Sequence, residues 1–373
     1  MKAYLLTLVL LFLILRVATA QKTNSFSGTS GDGTFEELKI KAEKGDSTAQ
    51  YNLGLCYNLG QGVAKDEVEA VKWWRKAAGQ NDADAQYNLG VCFAKGQGVL
   101  KDEVEAVKWY LKASEQNNPK AQYNLGVCYA KGIGLAKDEA EAAKWCRKAA
   151  EQNLAEAQYN LGACYAKGKG VSKNTEEAAK WYRKAAEQNH AEAQYNLGLC
   201  YDNGQGVVKD AVEAAKWYRK AAEQNDAEAQ YNLGVCYDNG QGIVQDEVEA
   251  AKWYRMAAEQ NLAEAQSALG VCYDDGKGVA KDEAQAVNWY RKAAEQNETD
   301  AQNNLGVNYA FGIGVAKDYV ESYKWTMLAA TKGSENAKKL MTILESKMSA
   351  EQIAKGQKLA NEFRPHKRSD AID

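Results

Sequence analysis

Residues 193–228 read AQYNLGLCYDNGQGVVKDAVEAAKWYRKAAEQNDAE, and this stretch decides the fold because the same words return along the whole chain. AQYNLG begins at Ala49, Ala85, Ala121, Ala157, Ala193 and Ala229, and the variants AQSALG and AQNNLG begin at Ala265 and Ala301. The period is 36 residues without an insertion, so eight units cover residues 49–336. A period of about 20–50 residues marks a solenoid, in which a unit buries its apolar face only by stacking on its neighbours. The 373 residues therefore form one stacked array and not the two or three domains that length alone suggests.

Each unit resolves into two helices. In the second unit Ala85, Leu89, Gly90, Cys92 and Phe93 fall at helical spacing, and Gly96-Gln97-Gly98 breaks the helix. A second stripe follows through Val104, Ala106, Val107, Trp109, Tyr110 and Ala113. The expectation is an all-α, superhelical α/α solenoid with a short helix A and a longer helix B. Helix B opens on a capping-box pattern, as in Asp66 with Glu69 and Asp102 with Glu105, each cap contributing about 1 kcal/mol. Helix A has a similar start in Asn153 with Glu156, Asn189 with Glu192 and Asn261 with Glu264. A glycine recurs inside helix A, from Gly54 to Gly306, where it costs about 1 kcal/mol in propensity. Close helix approach is the compensation expected. The G-x-G pairs between helices follow a helix and recur with every unit, so they read as turns and not as phosphate loops.

The ends read as caps and leaders. Residues 1–20, with Lys2, an apolar run over 3–15 and Ala18-Thr19-Ala20, have the pattern of a secretory signal peptide, an uncleaved anchor being the alternative. Residues 21–33 are a Ser/Thr/Gly-rich flexible lead-in, 34–48 an N-terminal capping helix, 337–363 C-terminal capping helices and 364–373 a disordered tail.

Composition narrows function. With 47 basic and 50 acidic residues the net charge of −3 gives no attraction to nucleic acid. Two histidines, His190 and His366, leave little for a zinc site or a His-centred triad, and no cofactor or metal is called for. Seven cysteines, Cys56, Cys92, Cys128, Cys164, Cys200, Cys236 and Cys272, share one repeat position on successive A helices about 10 Å apart, beyond the reach of a disulfide. They read as a ladder of small buried residues. The tryptophan series Trp73, Trp109, Trp145, Trp181, Trp217, Trp253, Trp289 and Trp325 reads as inter-helix core.

On Leu197-Gly198, Tyr201, Gly204-Gln205-Gly206-Val207, Asp210, Ala214, Trp217-Tyr218 and Ala221-Ala222, the chain resembles the Sel1-like repeat proteins, a branch of the tetratricopeptide-type solenoids. The resemblance covers residues 49–336. It implies a right-handed superhelix whose A helices line a concave face, acting as an adaptor that holds other proteins. Cysteine-rich secreted relatives staple helix A to helix B, and on that pattern Cys128 with Cys146 is the one bridge to entertain, a chance aromatic-to-cysteine replacement being the alternative. Some such relatives are described as β-lactam-hydrolysing, but S-x-x-K, K-T-G and S-D-N are absent from the chain.

If helix A lines the concave face, the groove takes Tyr51, Tyr87, Tyr123, Tyr159, Tyr195 and Tyr231, tyrosine offering broad contact at low entropic cost. Packing between helices is the other reading. Asn88, Asn124 and Asn160 in the next column either bond an extended ligand or brace the adjacent helix. Before the turn stand Lys95, Lys131 and Lys167 in the first half and Asp202, Asp238, Asp274 and Asp275 in the second. That polarity orients a partner with opposite charges at its ends, unless block duplication alone produced it. The expected function is an exported, monomeric scaffold for a protein or peptide, with no nucleic acid, no membrane span after signal cleavage and no catalysis. A secreted effector or β-lactamase-like hydrolase and a non-binding spacer are the alternatives.

Overall fold

The computed structural model describes residues 34–366; the segments expected to be a signal peptide (1–20) and a lead-in (21–33), and residues 367–373 of the expected tail, lie outside the described residues. All regular structure among the described residues is helical, and the chain divides after Lys137 into two compact units. The first holds α1 (Phe35–Glu43), α2 (Ser47–Leu59), α3 (Glu67–Gly79), α4 (Ala83–Lys95), α5 (Glu103–Glu115) and α6 (Pro119–Lys131). The second holds α7 (Glu139–Glu151), α8 (Ala155–Lys167), α9 (Thr175–Glu187), α10 (Ala191–Asn203), α11 (Ala211–Glu223), α12 (Ala227–Asn239) and α13 (Glu247–Glu259). It continues with α14 (Ala263–Asp275), α15 (Glu283–Glu295), α16 (Thr299–Phe311), α17 (Tyr319–Thr331), α18 (Glu335–Glu345) and α19 (Ala350–Glu362). Within each unit successive repeat helices pack on one another, and α17 packs on both α18 and α19.

Helix A and helix B are equally long, at 13 residues each in α10 and α11, so the expected short A helix is not found. Helix A starts two residues ahead of AQYNLG and stops at a left-handed glycine, Gly204 at φ 66° after α10. The aspartates before helix B do cap it: Asp66 Oδ1 accepts the amides of Val68 and Glu69 at 3.0 Å each. The reciprocal half of the box is replaced. Glu69 turns to Lys72 one helical turn on, at 2.5 Å, and Glu105 to Lys108 at 2.9 Å, since an ion pair on the exposed face competes with the backbone amide. The complete box stands at Ser349 and Gln352, which open α19.

Asn153, Asn189 and Asn261 are not the caps of helix A. They lie in the left-handed region at φ 68°, 69° and 65°, and the capping position is the next residue, Leu154, His190 or Leu262. Each closes the preceding B helix: Asn153 N–H donates to Ala150 O at 3.0 Å and Leu154 N–H to Ala149 O at 3.3 Å, the two bonds of a Schellman motif. Asparagine is the residue that tolerates this conformation while keeping a side chain to bond with.

That side chain meets the glutamine of AQYNLG, which is 0–5% exposed in every repeat. Gln158 Nε2 donates to Asn153 Oδ1 at 3.0 Å and to Ala150 O at 3.2 Å, and Gln158 Oε1 accepts from Gln188 of the next B helix at 2.7 Å. The link recurs as Gln80 to Gln50, Gln116 to Gln86, Gln224 to Gln194, Gln260 to Gln230 and Gln296 to Gln266, all at 2.7–2.8 Å. Lys332 takes the role for Gln302 at 2.9 Å.

The helix A glycine is a notch for the residue after each tryptophan. A Cβ at Gly198 would lie 2.6 Å from the Tyr218 ring, and one at Gly234 2.6 Å from Tyr254. Tyr218 is fully enclosed, whereas the tryptophan series is divided: Trp73, Trp145, Trp181 and Trp325 are buried as expected, and Trp109, Trp217, Trp253 and Trp289 are half-buried. All eight cysteines are free thiols, and Cys128 and Cys146, entertained as a bridge, are free and buried. Burial pushes Cys92, Cys128, Cys200, Cys236 and Cys272 up to about 11 and Cys146 to about 12. The C-terminal helices begin at Glu335, and the chain stays packed past the expected start of the tail. Phe363 sets its ring edge on Trp325 at 5.4 Å, and His366 N–H donates to Glu295 O at 2.8 Å.

Three outcomes follow from this packing. Gly198→Ala is expected to lower stability by about 1–3 kcal/mol in urea unfolding, because the methyl enters the tyrosine ring. Gly79→Ala, helical with nothing within 4 Å of its Cβ, is expected to raise it by up to about 1 kcal/mol. Native protein at mildly alkaline pH should react slowly with a thiol reagent, whereas denaturation without reductant should release all eight thiols. A count lower by two would reveal a bridge.

Candidate functional site

The tyrosines Tyr51, Tyr87, Tyr123, Tyr159, Tyr195 and Tyr231 sit half-buried on the A helices. Tyr87, Tyr159, Tyr195 and Tyr231 tilt against Tyr110, Tyr182, Tyr218 and Tyr254 of helix B, with ring centroids 5.8–6.2 Å apart. Tyr159 also stacks on His190, which opens the next A helix, at 4.9 Å. Burial, with Asp84 and Asp82 adding to it, pushes the Tyr51 phenol up to about 12. Each ring thus joins the core along one edge and keeps part of its surface in solvent.

Asn88, Asn124 and Asn160 are half-buried beside them. The Asn88 side chain hydrogen-bonds Tyr51 of the preceding repeat, and Asn124 acts in the same way on Tyr110. Asn232 does so on Tyr195.

The charged residues before the turn occupy two adjacent columns. Lys95, Lys131 and Lys167 end their A helices and are exposed. Asp202, Asp238 and Asp274 stand one position earlier, where the other repeats have Asn58, Ala94, Ala130, Ala166 and Ala310, and are half-buried. Asp202 Oδ2 accepts from the Tyr218 hydroxyl at 3.4 Å and its Oδ1 from Gln241 Nε2 at 3.2 Å. Asp238 Oδ2 accepts from Tyr254 at 3.5 Å. Burial and the neighbouring Asp275 raise the Asp274 carboxyl above its ordinary range. Lys95 and Lys131 belong to the first unit, Lys167 and the aspartates to the second.

Helix B carries features that the sequence reading passed over. Lysines three residues on cover the tryptophans, with Lys76 Nζ 3.7 Å from the Trp73 ring centroid and Lys184 4.0 Å from Trp181. Arg183, Arg219, Arg255 and Arg291 reach the hydroxyls of Tyr201, Tyr237, Tyr273 and Tyr309 on the following A helix at 2.7–3.0 Å. The spacing of 18 residues between arginine and tyrosine repeats along the chain, and that regularity was the available clue.

Among the described residues no group of three His, Cys, Asp or Glu side chains could hold a metal ion, and no helix is long and apolar enough to cross a membrane.

The Sel1 repeat model matches residues 47–82, 83–118, 119–154, 155–190, 191–226, 227–262, 263–298 and 299–334, in phase with the helix A starts. The chain is 32% identical to a Sel1 repeat protein from Oxalobacter formigenes of known crystal structure, with a TM-score of 0.61 over 84% of this chain and 91% of that one. A protective antigen present in uropathogenic Escherichia coli strains, with an SLR fold, is 31% identical, with a TM-score of 0.56 over 89% of this chain and 94% of the other. A putative sel1-like repeat-containing protein of Acanthamoeba polyphaga mimivirus is 48% identical over 46 residues, which is 12% of this chain and only 8% of that relative's length. Eight matched repeats across 47–334 and two similar solved structures make this chain a member of the Sel1 repeat family.

Proposed function

We propose that the chain is an exported protein-interaction scaffold without catalytic machinery of its own, holding a protein or peptide partner along its A helices. Sel1 repeats generally serve in protein–protein interaction. The observation that carries the reading is a division of labour among repeat positions. Those that stay constant from unit to unit, such as Gln194, Gly198 and Leu197, are buried and used up in bonds and contacts within the array.

The positions that change lie at the exposed ends of the A helices: Lys95, Lys131 and Lys167, then Asn203 and Asn239, Asp275 and Phe311. Phe311, at 58% exposure, is a large apolar side chain in solvent at the same place. A surface that varies on a frame that does not is the arrangement that selects a partner by contact and charge. Residues 1–20 are the basis for export, through the apolar run over 3–15 and the small residues Ala18 and Ala20.

The test is affinity capture of the full-length, C-terminally tagged chain from the extracytoplasmic fraction of its native host. A variant with Lys95→Glu, Lys131→Glu and Lys167→Glu, shown to melt at the parent temperature, runs alongside. The expected outcome is a partner retained by the parent and held at least about tenfold less well by the variant, the gap narrowing at high salt. Equal retention would remove the lysine column from the site. No partner with either protein would overturn the scaffold reading in favour of a spacer, and turnover of a β-lactam would overturn it in favour of a hydrolase.

A further inference from the structure

The repeats supply an internal comparison at the crevice where the end of one A helix, its B helix and the next A helix meet. After α10 that crevice is filled by the chain's own carboxylate, Asp202, held between the Tyr218 hydroxyl on Oδ2 and the Gln241 amide on Oδ1. One repeat earlier the corresponding residues are Ala166, Tyr182 and Gln205, and a cavity of about 210 Å³ opens between them. Alanine removes the carboxylate and leaves both of its donors in place.

Three further details leave those donors without a substitute. Tyr182 is 5% exposed and lines the cavity, and the groups that act on its hydroxyl, Tyr159, Cys200 and Cys164, include no carboxylate or amide such as those that serve Tyr218 and Tyr110. Asn196, which also lines the cavity, turns its Nδ2 to the Glu192 carbonyl of its own helix at 2.8 Å, whereas the equivalent Asn124 serves Tyr110. Lys173, on the rim, lacks the acid that holds its counterparts: Lys65 pairs with Glu67 and Lys101 with Glu103 at 2.8 Å each, but Thr175 stands in that place here. The second repeat shows that alanine alone is not enough, because Ala94 there is accompanied by the paired Lys101 and by Ile133 where Gln205 would be. No carboxylate acts on Tyr182, and burial keeps it and Cys200, at about 11, protonated, so the wall carries no opposing charge.

We propose that the crevice at Ala166, Tyr182, Gln205 and Lys173 binds the side-chain carboxylate of an aspartate or glutamate presented by a partner polypeptide. The ligand oxygens take the Tyr182 hydroxyl and the Gln205 amide as Asp202 takes Tyr218 and Gln241, and Lys173 supplies the compensating charge. A side chain is the occupant because the chain's own occupant of the same crevice is one. The proposal deepens the scaffold reading by naming the chemistry that one repeat recognises.

Ala166→Asp provides the decisive variant, since aspartate is already accommodated at this column in Asp202 and Asp238. Short Gly/Ser/Ala peptides with one central Asp or Glu and both ends blocked are titrated into full-length protein carrying ring-labelled tyrosine. The Tyr182 resonance is followed by NMR and assigned through Tyr182→Phe. The acidic peptides are expected to shift it saturably, and the matched Asn and Gln peptides are not. Lys173→Ala should weaken the acidic peptides about fivefold, and Ala166→Asp should abolish the shift.

Equal shifts from acid and amide peptides, an undiminished shift in Ala166→Asp, or no shift from any acidic peptide would each overturn the proposal. The scaffold reading is judged separately by capture. A partner retained equally by Ala166→Asp removes the crevice and leaves the scaffold, whereas a shifted Tyr182 with no captured partner keeps the crevice and removes the scaffold.

Discussion

A buried amide must find its hydrogen bonds, and in this protein one glutamine per repeat carries that obligation between helices. An unpaired polar group costs about 1–3 kcal/mol, whereas a satisfied one contributes about 1 kcal/mol net. Gln158 meets the demand by joining three elements: the end of the preceding B helix through Ala150, the reversed turn through Asn153, and the next B helix through Gln188. The bond to Ala150 takes up a carbonyl that a helix end leaves without an intrahelical partner. The left-handed asparagine and the B-helix end depend on the same glutamine, and the next repeat is placed by it.

The glycine notch works beside this spine by shape. Gly198 has no Cβ, so the Tyr218 ring lies against the helix backbone, and the propensity lost in helix A is offset by burying one of the largest side chains in the unit. Tyrosine brings a hydroxyl to the far side of the notch, where it needs an acceptor. Asp202 and Asp238 provide it in two repeats, and Tyr182 has no carboxylate there. The same packing that holds a repeat together thus places Tyr182 on the wall of the crevice.

Helix periodicity, the 36-residue period, the G-x-G turns, the aspartate caps of helix B and the glycine approach were all legible in the sequence, because each rests on neighbours within one repeat. The misplaced helix A cap has a physical origin. Asn153 and Leu154 differ by one position, and an asparagine three residues before a glutamate matches a capping box as well as a left-handed turn. The charge columns were harder still: the lysines and the aspartates come from adjacent positions of the repeat, but the lysines are in solvent and Asp202 is bonded to a tyrosine 16 residues away.

By itself the sequence determined the repeat, its helices and its family, since a pattern copied eight times overrides the ambiguity of any single copy. Tertiary structure alone decided which polar side chains are consumed and which remain free. Gln205 and Gln241 occupy the same position of the G-x-G turn, yet Gln241 donates to Asp202 Oδ1 and Gln205 lines the crevice beside Ala166. The difference lies in what the adjacent repeat places opposite them, a through-space property that no residue's own neighbours in sequence contain.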